Sequence, residues 1–197
     1  MFKTILISQP QYFEEETKIL ISLFEANLQY FHLRKPESSR DDLKKFIESI
    51  PLEYRNRIVL HSHYSLALDY NLRGIHCTAN NRDEFYELEH LPIQKSISVH
   101  GFCEAGMVDE TYAYAFLSPI FNSISKKDHH QAYQHDALQQ FLARLRRSSF
   151  IALGGICPEN IPQCKQMGFE GVATIGSVWE SSNPLEQWKK IEAFQEL

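Results

Sequence analysis

The sequence predicts a compact α/β fold, a (β/α)8 TIM barrel, and three observations carry that prediction. About eight short apolar runs alternate strictly with helix-like segments, and strict alternation implies parallel strands because each crossover returns the chain to the same end. The turn after the first run is "SQPQYFEEE", without glycine, whereas an open doubly wound sheet would normally carry a Gly-rich phosphate turn there. The polar residues gather where the apolar runs stop, at the strand ends where a barrel builds its site.

The elements follow in order. "KTILIS" (Lys3–Ser8) is a buried-type strand, and Glu14–Asn27 follows with Ile19, Leu20, Leu23 and Phe24 at helical spacing. "YFHLR" (Tyr30–Arg34) alternates, with Phe31 and Leu33 on one face and Tyr30, His32 and Arg34 on the other. "SSRDDLKKFIESI" reads as a helix with Ser38 or Ser39 as N-cap and acids in its first turn. Arg57–Ser62 is the third strand, with a short helix near Ser65–Tyr70, and Gly74–Cys77 is the fourth, with "NRDEFYELEH" helical after it. Lys95–Gly101 is the fifth strand, followed by a helix near Glu104–Glu110. Tyr114–Ser118 is the sixth, followed by a helix over Asp136–Arg147. Phe150–Gly155 and Gly171–Gly176 are the last two strands, followed by "PENIPQCKQM" and Pro184–Phe194 as helices.

The 197 residues suit one domain, 1–197, with little room for insertions. Apolar content of 43% and charged content of 23% are ordinary for a folded chain. A formal charge of -5 argues against a broad basic surface for nucleic acid or anionic lipid. No apolar window approaches a membrane span or a signal segment. Cys77, Cys103, Cys157 and Cys164 form no CxxC pair and read as reduced thiols, which points to the cytoplasm.

The strand ends supply His32 and Arg34, His61 and His63, His76, Ser98 and His100, Ser118, Gly154 and Gly155, then Gly176 and Ser177. Gly154 and Gly155 would let the backbone approach an oxyanion, and Gly176 and Ser177 open a short helix whose free N–H groups attract one. Ser123, Ser125 and Lys126, in "SPIFNSISK", add donors with no acidic residue among them. His61, His63 and His76 offer a three-histidine zinc site with an open position; the competing reading puts one imidazole inside the barrel and the others in loops. His129, His130 and His135 read as solvated loop residues. Arg34, pointing into the barrel, calls for an anionic partner, either a structural carboxylate or a ligand diphosphate.

Together these residues are similar to the thiamine-phosphate synthase/TenI family of (β/α)8 barrels, from "FHLRK" to "GVATIGSVW". "SPIFNSISK" resembles that family's GPxFxTxTK loop, and "SFIALGGICPENI" its AIGGI segment. "LHSHYSLALDYNLRGIHC" follows the spacing of vNDrvdlAlalgAdGvHlG, and "SISVHG" that of GxSxH.

The resemblance implies a transferase of thiamine biosynthesis. It joins hydroxymethylpyrimidine diphosphate to hydroxyethylthiazole phosphate and releases pyrophosphate. By position, Arg34 and Lys126 bind the diphosphate, Ser98 bonds or orients it, and Ser123 and Ser125 replace two threonines. The backbone of Gly154, Gly155, Ile175 and Gly176 holds the thiazole phosphate. The implied partners are small phosphorylated thiamine precursors, and a homo-oligomer is compatible with the sequence.

The departures are as specific as the matches. His32 replaces a glutamine and Pro36 a lysine; Lys35 is one place off and would face the other way. The family's Mg2+ is held by two aspartates, and those positions are Ser62 and Asn81 here, a poor substitute for carboxylate oxygen. Phosphate binding therefore reads as retained and Mg2+-dependent activation as damaged, with His61 as a substitute source of positive charge. The alternatives are a TenI-like thiazole-phosphate isomerase, or a binding-only barrel. Pro119 stands where the isomerase has its histidine, which leaves His32 or His61 as proton shuttles.

Overall fold

The computed structural model describes residues 2–88, 90–121, 133–144 and 149–195. Eight strands form a closed barrel in sequence order, each pair of neighbours parallel: β1 (Lys3–Ile7), β2 (Phe31–Leu33), β3 (Ile58–Leu60), β4 (Gly74–Cys77), β5 (Gln94–Val99), β6 (Tyr114–Leu117), β7 (Phe150–Leu153) and β8 (Gly171–Thr174). Closure is made by β1 on β8, with Lys3 opposite Gly171 and Leu6 opposite Thr174. The helices are α1 (Glu16–Glu25), α2 (Arg40–Glu48), α3 (Leu52–Arg55), α4 (Ser65–Asp69), α5 (Arg82–Leu88), α6 (Phe102–Ala105), α7 (His135–Arg144), α8 (Ile161–Met167), α9 (Gly176–Trp179) and α10 (Pro184–Glu192).

β2, β3 and β6 are short and wholly buried because both faces are covered, whereas β5 buries only Ser96 and Val99. Alternation divides their side chains between two cores. Leu6, Phe31, Leu33, Leu60, Ile75 and Leu117 point outward and pack with the helix stripes, including Leu20, Leu23 and Phe24 of α1. Ile5, Ile7, Tyr114, Phe116, Ile151 and Ala173 fill the barrel interior. His32 lies between Phe31 and Leu33, so the same alternation sends it inward, as the sequence pattern predicts.

Helix starts follow their local chemistry. Ser39 caps α2, its Oγ accepting from the Asp42 N–H at 3.2 Å. Asn183 caps α10 by accepting from the Glu186 N–H, with Pro184 at the first helical position. Two expectations need correction. β3 stops at Leu60 instead of reaching Ser62, because the chain leaves the ladder and turns through His63 at φ 50°. The helix expected near Glu104–Glu110 is α6, a single turn bounded by Gly101 and Gly106, which are poor helix formers. α3, after Pro51, was not anticipated. Among the described residues no helix is long and apolar enough to cross a membrane, and the four cysteines are free thiols.

Candidate functional site at the barrel mouth

The carboxyl ends of β2, β3 and β4 bring His32, His61 and His76 together inside the barrel. One ring nitrogen of each lies within 4.8 Å of the other two. Nδ1 of His32 is 2.9 Å from Nε2 of His61, and Nε2 of His32 is 2.6 Å from the Tyr114 hydroxyl. His76 lies between two serines, with Nδ1 at 2.8 Å from Ser96 Oγ and Nε2 at 2.8 Å from Ser98 Oγ. The His61 and His76 rings stack with centroids 4.3 Å apart. His32 and His76 are fully buried and His61 is 7% exposed.

Burial keeps these rings neutral. It pushes His76 down to about 3, helped by the nearby charge of Arg34. His32 and His61 are also held well below the ordinary imidazole range, first by burial and then by the neighbouring rings, with Arg34 adding to the effect on His61. The zinc-site expectation is thus corrected in one member: His63 turns away and its Nε2 meets the Ser38 carbonyl at 3.1 Å, while His32 takes its place in the cluster.

Arg34 follows β2 and is exposed. Its backbone is fixed by Ser8, whose Oγ accepts from the Arg34 N–H at 2.8 Å and donates to the Arg34 carbonyl at 3.0 Å. Water reaches the guanidinium, so the argument that a buried arginine requires an anionic partner does not apply. The buried cation of this segment is Lys35. Its Nζ lies 2.7 Å from both carboxylate oxygens of Glu16, 2.9 Å from the Gln11 carbonyl and 4.4 Å from the centre of the Tyr12 ring. Both partners of that ion pair are 1% exposed. Lys35 therefore does face away from the mouth. A cleft of about 510 Å³ beside it is lined by Pro10, Gln11, Tyr12, Ser38 and Phe46, among others, and its buried cation is already neutralised.

The positions corresponding to the magnesium aspartates do not fit that ion. Asn81 is engaged by the backbone: its Nδ2 donates to the His61 carbonyl, and its Oδ1 accepts from the Thr78 N–H at 2.7 Å. Ser62 brings only a hydroxyl. The nearby carboxylate of Glu84 accepts from the Tyr64 N–H at 2.7 Å. A hard cation that prefers carboxylate oxygen has no such ligand at either position.

Gly154 and Gly155 end β7 at φ 97° and 64°, a conformation that favours glycine. At Gly154 the close approach is made by the chain itself, since a Cβ there would lie 2.9 Å from Pro119 Cα. The loop after β6 docks onto this turn, with the Ile120 N–H donating to the Leu153 carbonyl at 3.0 Å and the Phe121 N–H to the Gly154 carbonyl at 3.1 Å. Asn160 braces the turn from below, donating to the Gly155 carbonyl at 2.8 Å. Ile175 caps α9, which starts at Gly176. The exposed Glu180 folds back towards Gly176, so this end of α9 carries a carboxylate as well as N–H donors.

Ser123, Ser125 and Lys126 lie outside the described residues, as do His129 and His130. His135 is corrected from a loop residue to the first residue of α7, with its Nδ1 2.7 Å from Gln163 Nε2. Ser8, Ser96, Tyr114 and Glu16 escaped the sequence reading. Ser96 and Tyr114 were detectable as the inward positions two residues before Ser98 and Phe116.

Comparison with known proteins relates the chain and its fold to one family. The family model described as thiamine monophosphate synthase matches residues 4–178. The thiamine-phosphate synthase of Anoxybacillus flavithermus is 28% identical over 142 residues, which is 70% of this chain and 64% of that protein's own length. The thiamine-phosphate synthase of Bacillus mycoides is 24% identical over 186 residues, covering 90% of this chain and 85% of that protein. The crystal structure of thiamine phosphate pyrophosphorylase from Bacteroides thetaiotaomicron superposes with a TM-score of 0.86 at 32% identity, covering 99% of this chain and 98% of that one. Thiamine phosphate pyrophosphorylase from Pyrococcus furiosus, at 16% identity and a TM-score of 0.82, shares the fold. The chain belongs to the thiamine monophosphate synthase family.

Proposed function

We propose that the chain condenses hydroxymethylpyrimidine diphosphate with hydroxyethylthiazole phosphate to give thiamine phosphate and pyrophosphate. The observation that carries this reading is the family match over residues 4–178, which takes in Arg34 after β2 and the glycine turns after β7 and β8. The bond between the pyrimidine methylene carbon and the diphosphate oxygen breaks, and its electron pair leaves with pyrophosphate. The thiazole nitrogen then supplies the pair for the new C–N bond.

Catalysis in this scheme is charge stabilisation and alignment. Arg34 meets the departing pyrophosphate, with its backbone held in place by Ser8. Lys126 supplies the second cation and Ser123 and Ser125 further donors. Ser98 orients the diphosphate from its position beside His76. The backbone of Gly154, Gly155, Ile175 and Gly176 holds the thiazole phosphate. His61, buried but the least enclosed member of the imidazole cluster, forms the polar floor of the mouth, with His32 behind it. No step is assigned to Mg2+, because Ser62 and Asn81 do not fit it. Supplying both substrates and measuring thiamine phosphate tests the reading; no product from folded protein contradicts it.

A further inference from the structure

We propose that His32, His61 and His76 form a binding site for a divalent transition-metal ion of the Zn2+ class, one nitrogen from each ring, with a fourth position open to water or an anionic oxygen. The site stands on geometry independent of the condensation reaction. Three imidazoles from three adjacent strands converge in a buried interior, with one nitrogen of each already within 4.8 Å of the others. A metal at roughly 2.0–2.1 Å from each nitrogen of a tetrahedral site sets them about 3.3 Å apart, so His32 Nδ1 and His61 Nε2 open slightly from 2.9 Å and any wider pair closes in, both within reach of small ring rotations. Their donors are nitrogen, which suits Zn2+, Co2+ or Ni2+ and not Mg2+.

The remaining contacts have the form of an outer shell. Tyr114 holds His32 through Nε2, which leaves its Nδ1 for an ion, and His76 keeps one of its two serine partners while the other nitrogen turns to the ion. Nδ1 of His61 is buried without a hydrogen-bond partner among the described residues, so the hydrogen-bond network alone does not satisfy the cluster. Every neutral imidazole has one unprotonated nitrogen, so three neutral rings bind a cation by tautomer shifts, without releasing a proton.

The test uses untagged, chelator-treated full-length protein and Co2+ alone as the probe. The expected result is one Co2+ per chain, with the intense visible bands of a tetrahedral site, displaced by Zn2+ and unaffected by excess Mg2+. X-ray absorption on the wild-type complex is expected to show three imidazole nitrogens and no sulfur. His61→Gln and His76→Gln are each expected to weaken binding by more than about 100-fold, since loss of an outer-shell partner alone costs 10–100-fold. His63→Ala leaves it unchanged. Substoichiometric binding by folded wild type, sulfur or fewer than three imidazoles in its absorption spectrum, or full affinity in both glutamine variants overturns the proposal. The wild-type spectra decide the matter if a variant fails to fold.

Discussion

Nδ1 of His32 and Nε2 of His61 face each other at 2.9 Å inside the barrel, and among the described residues no carboxylate is hydrogen-bonded to either ring. Two imidazoles in this contact share a single proton, and both must otherwise stay neutral. The consequence is a pH dependence of stability in the metal-free protein. The folded pKa values of His32, His61 and His76 are depressed, that of His76 to about 3. Between the unfolded value near 6.5 and those folded values, the unfolded chain takes up protons that the folded chain refuses. Stability therefore falls as pH drops below about 6.5, by up to about 1.4 kcal/mol per pH unit for each histidine. Urea melts at pH 7 and pH 5 check this, and His76→Gln is expected to flatten the slope. An unchanged slope in that variant contradicts the assignment.

Glu16→Gln removes the counter-charge of a lysine that is 1% exposed. Breaking such a pair costs about 3–5 kcal/mol, because the remaining charge stays buried. Thermal melting is expected to show a large drop, whereas the exposed pair Arg40–Asp69 contributes under about 1 kcal/mol.

Gly154→Ala places a methyl group against Pro119 at a φ of 97°. The strain is worth about 1–3 kcal/mol. The loop after β6 should lift, seen as faster amide exchange at Ile120 and Phe121, whose N–H groups donate to this turn. A raised KM for the phosphorylated substrates is expected with it.

Arg34→Ala should separate function from stability. The guanidinium is exposed and the backbone bonds to Ser8 survive the change, so stability is expected to move by no more than about 0.5 kcal/mol. Turnover is expected to fall by roughly 10²–10³-fold, the usual cost of removing one stabilising donor. Retained turnover would remove Arg34 from the diphosphate site.

The barrel was legible because alternation in "YFHLR" and helical spacing in α1 both encode which face is covered. The inward direction of His32 was legible for the same local reason, and the cap of α2 was narrowed to Ser38 or Ser39, of which the structure uses Ser39. The partner of each inward residue was not. Tyr114 lies 82 positions from His32 and Ser96 lies 20 from His76, and only barrel closure and register bring them together. His63 was misplaced because a single left-handed residue ends the strand, and no periodicity announces it. Glu16 reads as one of three acids at a helix start; its burial depends on Lys35 arriving from the next unit. Gly154 was legible as a special backbone position, though its close neighbour is Pro119 as well as any ligand.

The most direct measurement is the formation of thiamine phosphate by purified, folded protein given hydroxymethylpyrimidine diphosphate, hydroxyethylthiazole phosphate and a divalent cation. The expected result is product with matching release of pyrophosphate, abolished or strongly reduced in Arg34→Ala. No product above background from wild type, with its fold confirmed by a cooperative melt, would contradict the synthase reading.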